Sequence, residues 1–292
     1  MKSQTSGRDH FAPGMKTALV TGASSGFGML ASVALAKSGF QVIATMRDPN
    51  RRALLLQEAE QAGAAGKIDI RKLDVTRHEQ IAETVAQVIE TYGRIDVLIN
   101  NAGHAVGGFV EEVPLAEWYS QMETNFFGLV ALTKAVLPHM RERRKGIIMN
   151  ISSVSGLIGF PGYGPYAASK FAVEGFSEAL RLEMLPFGVH VALVEPGAFK
   201  TNIWEKGIAR LDFHPSSPYR DMLEAVLACS RKAAETAADP AEVAETIVRI
   251  AQAEHPPFRR MAGKGVRLAV FMKQLLPWRW LERAILRQLR RK

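Results

Sequence analysis

The sequence predicts an α/β fold in which one doubly wound parallel sheet carries helices on both faces. Two patterns support this. Short runs rich in β-branched and aliphatic residues alternate with amphipathic segments of helix length. The first of those runs also passes directly into a glycine-rich turn, TGASSGFG at 21–28, which opens a helix. Strands that alternate with helices pair in parallel, and such a sheet takes its ligand beyond the carboxyl ends of its strands.

The elements follow in order. KTALVT (16–21) is the first strand, and the helix over 27–38 is closed by Gly39. QVIAT (41–45) is the second strand, followed by a helix over 49–62 that Pro49 begins and Gly63 ends. IDIRKLDV (68–75) leads to a helix over 77–92, where Thr76 and Glu79 have the spacing of a capping box and Gly93 terminates. IDVLIN (95–100) precedes a single long helix over 114–143, with Pro114 in its first turn. GIIMNIS (146–152), a helix over 166–185 and VHVALVE (189–195) complete the regular alternation. Residues 198–235, with Pro215 and Pro218, form a long irregular stretch of the kind that covers active sites. A helix from Asp239 to Gln252 follows, and FRRMAG (258–263) reads as a final edge strand.

Composition narrows the class. A hydrophobic fraction of 47% and a charged fraction of 23% are ordinary for a soluble globular protein. Cys229 is the only cysteine, which excludes an intrachain disulfide and fits a reducing, cytoplasmic setting. The seven histidines include no pair at metal-binding spacing, so no catalytic metal is expected. Residues 1–14 lack the apolar run of a secretory signal and read as a poorly ordered arm before a second start at Met15. The longest uncharged run, 146–169, is broken by glycines and prolines and cannot span a membrane as a helix. Of the net charge of +8, a net +5 lies between Arg279 and Lys292. The rest is nearly balanced and has no basic patch interleaved with stacking aromatics, so nucleic acid is not an expected partner.

Gly22, Gly26 and Gly28 permit a tight turn and close approach of the backbone to a ligand, while the free N–H groups of the following helix favour a phosphate. The spacing, G-x-x-x-G-x-G, differs from the commoner G-x-G-x-x-G; an ordinary strand-to-helix turn is the alternative. The second strand ends in TMRD, with Met46 where a carboxylate would hold ribose hydroxyls and Arg47 next. A guanidinium suits a 2′-phosphate, which predicts NADP(H) over NAD(H). Asp48 either offsets Arg47 or begins the next helix.

YAASK at 166–170 places a phenol one helical turn from an ammonium, close enough for the charge to favour the ionised phenol. With TGASSGFG, NNAG (100–103), Ser153 thirteen residues before Tyr166, and Pro196–Gly197 followed by Thr201, the chain resembles the classical short-chain dehydrogenases/reductases over residues 16 to about 201. The resemblance implies a Rossmann-type catalytic domain over 15–265, with a lid at about 198–235 and a basic amphipathic extension over 266–292. It also implies a catalytic tetrad of Asn125, Ser153, Tyr166 and Lys170. Tyr166 would be the general acid/base, Lys170 would lower its pKa and bond the nicotinamide ribose, and Ser153 would bond the substrate oxygen. Asn125 matches a position where the family's helix is locally disturbed to hold a water. Cofactor contacts are implied for Gly22, Ser24, Ser25, Gly26, Phe27, Gly28, Arg47, Asp74, Val75, Asn101, Ala102, Gly103, Tyr166, Lys170, Pro196, Gly197, Phe199 and Thr201. Asp74 would serve adenine and Thr201 the carboxamide.

The stretch from Tyr166 to Thr201 is most similar to the 17β-hydroxysteroid and retinol dehydrogenase branch. Val106, Phe109, Leu157, Ile158, Phe160, Tyr163, Phe199, Ile203 and Trp204 would give a lipophilic carbonyl or alcohol an apolar pocket, unless they pack the lid onto the sheet. In the tail, Trp278, Leu281, Ile285 and Leu289 fall opposite Arg279, Arg283, Arg287 and Arg290. That helix either docks over the cleft or against another subunit, or makes a weak contact with a membrane surface. The family further implies a homodimer or homotetramer packed through 114–143 and 166–185. A dinucleotide-sensing regulator without chemistry is the competing class, and the complete tetrad weighs against it.

Overall fold

The computed structural model describes residues 14–200 and 216–290. The expectations for the N-terminal arm and for Thr201, Ile203, Trp204 and Pro215 therefore fall outside the described residues, apart from Gly14 at the end of the arm.

Seven strands form one sheet in the order β3-β2-β1-β4-β5-β6-β7, and every neighbouring pair is parallel. They are β1 (Thr17–Thr21), β2 (Gln41–Met46), β3 (Ile68–Lys72), β4 (Val97–Asn100), β5 (Gly146–Ile151), β6 (Val189–Pro196) and β7 (Arg259–Ala262). The central strands are buried on both faces, which is why they read as unbroken apolar runs rather than alternating ones. Residue parity sorts their side chains. Ala18 and Val20 join α1 (Gly26–Lys37) and the late helix α8 (Ala241–Gln252) in one core. Leu19 faces the other core, with α3 (His78–Tyr92), α5 (Gly128–Glu142) and α6 (Gly164–Met184). The chain winds outward from β1 to β3, then returns to place β4 on the other side of β1. That reversal opens a crevice at the carboxyl ends of β1 and β4.

Several local expectations need correction. The capping box does not form: Arg77 is the N-cap of α3, and the Thr76 backbone N–H and hydroxyl both donate to Asp74 Oδ1, at 3.0 and 2.9 Å. The second helix begins as a 3-10 turn, Pro49–Arg52, before α2 (Ala53–Gln61). The single helix expected over 114–143 is three pieces: α4 (Leu115–Met122), a π-helical turn at Glu123–Phe127, and α5. Pro114 stands at the N-cap of α4, outside its first turn.

After β6, the described chain resumes before α7 (Arg220–Glu235), and β7 adds to β6 as the edge strand. Arg259 on β7 pairs with Glu174 at 2.5 Å and Glu178 at 2.5 Å, both on α6, and with the fully buried Glu195 on β6. Two more helices follow, α9 (Val266–Leu275) and α10 (Trp278–Arg290). Val266 and Val270 of α9 pack with Ile158, so the segment after residue 265 is joined to the body of the domain. Helix α10 packs on α7. Among the described residues no helix is long and apolar enough to cross a membrane.

Candidate active site

The carboxyl end of β1 turns through Gly22 and Gly26, both in left-handed conformations (φ +69° and +58°) that glycine adopts without strain. A Cβ at Gly22 would stand 2.9 Å from the Ala102 Cα, so this turn and the one after β4 touch through backbone. Gly28 packs α1 onto the same junction, since a Cβ there would lie 2.4 Å from Asn101 Nδ2 and 2.5 Å from the Gly22 carbonyl oxygen. Asn101 fastens the two turns by donating from Nδ2 to the Thr21 carbonyl at 2.8 Å. The Thr21 hydroxyl in turn accepts from the N–H groups of Asn101 and Ala102, both at 2.9 Å.

At Gly26 a Cβ would meet no atom within 4 Å, and Ser25, the N-cap of α1, makes no side-chain bond to the helix. The first-turn amides of α1 therefore face open space without a side-chain cap. That is a donor set and a cradle that fit a dinucleotide's phosphates.

A cavity of about 480 Å³ lies over this junction. It gathers Gly22, Ser24, Ser25, Gly26 and Phe27 from the first turn, Arg47 from the end of β2, and Val75 from the segment after β3. Asn101, Ala102 and Gly103 line it from the turn after β4, Ser153 and Tyr166 from the far side, and Pro196, Gly197 and Phe199 from the end of β6. Among the described residues, four expected here stand outside its lining. Gly28 serves the packing just described, Asp74 is held by Thr76, and Asn125 and Lys170 lie behind the wall.

The wall itself is built from the π-helical turn, the segment that follows β5, and α6. Asn125, in the π-helical turn, is buried and clasps His104: its Oδ1 accepts the backbone N–H at 3.0 Å and its Nδ2 donates to the carbonyl at 3.0 Å. Nδ2 also reaches Ser169 Oγ on α6 at 3.2 Å. The disturbed helix turn thus fixes the loop that carries Gly103 to the helix that carries Tyr166.

Tyr166 is 4% exposed and its phenol is hydrogen-bonded with Ser153. Burial pushes the phenol up to about 12, with the Ser153 bond acting in the opposite direction. Lys170, equally enclosed, donates from Nζ to the Ile151 carbonyl at 2.7 Å and lies 5.7 Å from the centre of the Tyr166 ring. Burial draws its ammonium down to about 8, while the Glu174 carboxylate one turn along pulls it back up. In the protein without ligand the net direction for the phenol is upward, because burial outweighs the Ser153 bond. The ammonium is tied to a strand carbonyl, and desolvation governs both groups.

The apolar pocket is also corrected. Of the nine residues expected to line it, Phe199 alone lines the cavity among those described, where it meets Phe27 edge-on at 5.6 Å. Phe109 stacks on Tyr219 at 4.7 Å, the Tyr163 hydroxyl bonds Ser230 Oγ at 2.7 Å, and Ile158 packs against α9. These residues hold the covering segments to the sheet. Arg51 was missed by the sequence reading, yet it lines the cavity beside Arg47. The motif RDPNRR carries the signal, because Pro49 begins a 3-10 turn that brings a second arginine round to the first. Asp48 caps that turn by accepting the Asn50 N–H at 3.0 Å.

Comparison with known proteins settles the family. Residues 16–211 match the family model for short chain dehydrogenases. The chain belongs to the short-chain dehydrogenase family. It is 44% identical to the uncharacterised oxidoreductase YusZ of Bacillus subtilis, over 90% of this chain and 94% of that one. It is 41% identical to a 3-ketodihydrosphingosine reductase of Bacteroides thetaiotaomicron (86% and 88%) and 39% identical to human retinol dehydrogenase 8 (85% and 81%). A crystal structure of a short-chain dehydrogenase from Streptomyces avermitilis superposes with a TM-score of 0.76 at 36% identity, covering 94% of this chain and 99% of that one. An actinorhodin polyketide ketoreductase solved with NADPH gives 0.74 at 32% identity, covering 86% and 97%. A Burkholderia phymatum member solved with NAD gives 0.76 at 26%, covering 89% and 93%. The chain is thus a dehydrogenase/reductase of the hydroxysteroid and retinol dehydrogenase-like branch, acting on a small molecule.

Proposed function

We propose that this dehydrogenase transfers hydride between NADP(H), in preference to NAD(H), and a lipophilic ketone, aldehyde or secondary alcohol, with Tyr166 as general acid and base. The observation that carries the reading is the meeting of Tyr166 and Ser153 on one wall of the cavity whose opposite end is the glycine cradle. The amides of Ser25, Gly26 and Phe27 would hold the pyrophosphate, and Arg47 with Arg51 would hold a 2′-phosphate. Pro196, Gly197 and Phe199 would border the nicotinamide. Bound there, the reduced cofactor supplies the hydride.

The chain supplies the proton. A phenol held up at about 12 is protonated at neutral pH, so Tyr166 enters reduction ready to donate its proton to the substrate oxygen. Ser153, already bonded to the phenol, can turn its hydroxyl toward the same oxygen and stabilise charge as it develops. Lys170 faces the phenol ring from one helical turn away, so its ammonium offsets the charge left on the tyrosine. Asn125 acts through position, holding the His104 loop against α6.

The lipophilic substrate class is supported by Phe27 and Phe199 at the cavity and by relatives named for a long-chain sphingoid ketone and for retinol. A homodimer or homotetramer is supported by exposed Leu115 and Tyr119 on α4, Phe127 in the π-helical turn and Leu182 on α6. The test is a panel of ketones and alcohols with each cofactor, on the native protein and on Tyr166→Phe. The variant should bind NADPH as the native protein does and lose turnover by about 10²–10⁴-fold. Near-native turnover by the variant would reject Tyr166 as the acid, and a native protein that binds NADPH but turns over nothing would favour a sensor.

A further inference from the structure

We propose that α9, with the two tryptophans that follow it, is a docking surface for an anionic phospholipid bilayer. The helix is apolar on both sides, and the fold covers only one. Val266 and Val270 point inward to Ile158. On the outside, Leu268, Phe271, Met272 and Leu275 recur at i, i+3, i+4 and i+7, with exposures of 64%, 55%, 37% and 62%. Trp278 and Trp280, in the first turn of α10 just after the ridge, are 61% and 64% exposed. A contiguous ridge of large apolar side chains in water marks an interaction site, and paired tryptophans suit the boundary between headgroups and acyl chains.

The surrounding charge selects the occupant. Lys264 and Arg267 precede the ridge, Arg279, Arg283 and Arg287 follow it, and all five are exposed. Glu282 is the only acidic residue from 264 to 290. A second copy docked symmetrically on this face would bring these cations against their own duplicates, whereas anionic headgroups neutralise them while the ridge enters the acyl layer. Of the apolar stripe expected on the tail helix, only Trp278 is exposed. Leu281, Ile285 and Leu289 are half-buried, and α10 packs on α7.

The ridge is coupled to the catalytic wall. Lys273 of α9 donates from Nζ to the Leu157 carbonyl, in the turn that follows Ser153, and lies 5.1 Å from the centre of the Phe171 ring, next to Lys170 in sequence. A bilayer under α9 would therefore present lipophilic molecules beside the segment that carries the active-site hydroxyls. This last step rests on the proposed substrate class; the docking does not.

The test is flotation of the full chain with vesicles of phosphatidylcholine alone or mixed with phosphatidylglycerol. The native protein should float with the anionic vesicles, shift its tryptophan emission to the blue, and come off in part at high salt. Phe271→Glu with Leu275→Glu should cut binding at least about tenfold while leaving turnover of a water-soluble ketone and the melting temperature unchanged. If that variant misfolds, Arg279→Glu with Arg283→Glu, both on the exposed side of α10, should weaken anionic binding to a similar degree. Native protein that stays unbound to anionic vesicles, or arginine variants that bind as well as native, would overturn the proposal. So would sedimentation showing a native oligomer that Phe271→Glu with Leu275→Glu dissolves, which would assign the face to a second copy. Should no ketone be reduced, the melting temperature serves as the fold control and flotation is read alone.

Discussion

Cofactor choice can be decided at two arginines. Arg47 and Arg51 both line the cavity, both are exposed, and neither takes part in a salt bridge among the described residues. Asp48, the nearest carboxylate in sequence, uses one oxygen to cap the 3-10 turn. Two unit charges about 4 Å apart attract by about 1 kcal/mol in bulk water and about 4 kcal/mol at the effective dielectric of a protein surface. With the desolvation of an exposed guanidinium small, a charge-assisted bond to a 2′-phosphate should contribute about 1.5–3 kcal/mol. At 1.4 kcal/mol per factor of ten, Arg47→Ala should weaken NADPH binding about 10- to 100-fold. NADH lacks the phosphate and should change by less than about twofold. Arg51→Ala should act in the same direction. Because the two arginines would share one phosphate, the double variant should lose less than the sum of the single losses. Titration of cofactor fluorescence measures both constants, and raising the ionic strength should erode the NADPH advantage of the native protein. If the ratio of NADPH to NADH affinity is the same in native protein, both single variants and the double variant, neither guanidinium reads the phosphate.

Three further outcomes follow from burial. Gly28→Ala forces a Cβ to within 2.5 Å of the Gly22 carbonyl oxygen, and such overpacking should cost about 1–3 kcal/mol in denaturant unfolding; an unchanged midpoint would show that the junction yields. Lys170→Met should stabilise the ligand-free protein at pH 7 by about 1–3 kcal/mol, because the native fold charges a lysine whose pKa is drawn from 10.5 to about 8. Between those values the unfolded chain holds the proton more tightly, so native stability should rise with pH there, a slope the variant lacks; a lower melting temperature for the variant would refute this. Arg259→Leu leaves Glu174 and Glu195 facing each other without a cation and should cost about 2–4 kcal/mol. Burial, with Glu174 beside it, raises Glu195 to about 7, so stability from this group is lost as pH rises through that value. The variant's deficit should accordingly be larger at pH 8 than at pH 6, and equal deficits would count against the paired carboxyls.

The parts of the fold governed by local pattern were legible in the sequence. Unbroken β-branched runs marked the five inner strands to within a few residues, because strands buried on both faces have no polar side to show, and the edge strand β3 was visible in the alternating IDIRK. The final strand was also visible in FRRMAG. The break between α4 and α5 was visible only through the resemblance, at Asn125, since the backbone stays helical into and out of the π-helical turn and no proline marks it. Thr76 does not cap because the helix begins one residue later, with Arg77 at the N-cap, while the Thr76 N–H and hydroxyl both turn back to Asp74. The cavity's glycines, Tyr166 and Ser153 were found by spacing. The substrate-side apolar residues were misplaced because hydrophobicity does not tell a ligand wall from a lid seam, and Phe109 and Tyr163 chose partners in Tyr219 and Ser230, more than sixty residues away. The outer ridge of α9 went unread for a related reason: a run apolar on all sides looks like core until a neighbour is found for each side.

The position of the last strand bears on how the chain is made. β6 ends at Pro196, but its outer neighbour begins at Arg259, and the Gly197 N–H finds its acceptor in the Ala262 carbonyl at 2.9 Å. During synthesis, a nascent chain has every hydroxyl and ammonium of the catalytic wall before it has the strand that closes this side of the sheet. Until then β6 is an open edge able to pair with other chains, and the two glutamates behind it await their arginine. A premature stop codon between residues 201 and 259 would consequently yield a polypeptide with the hydroxyls and ammonium of the catalytic wall present and its floor unfinished.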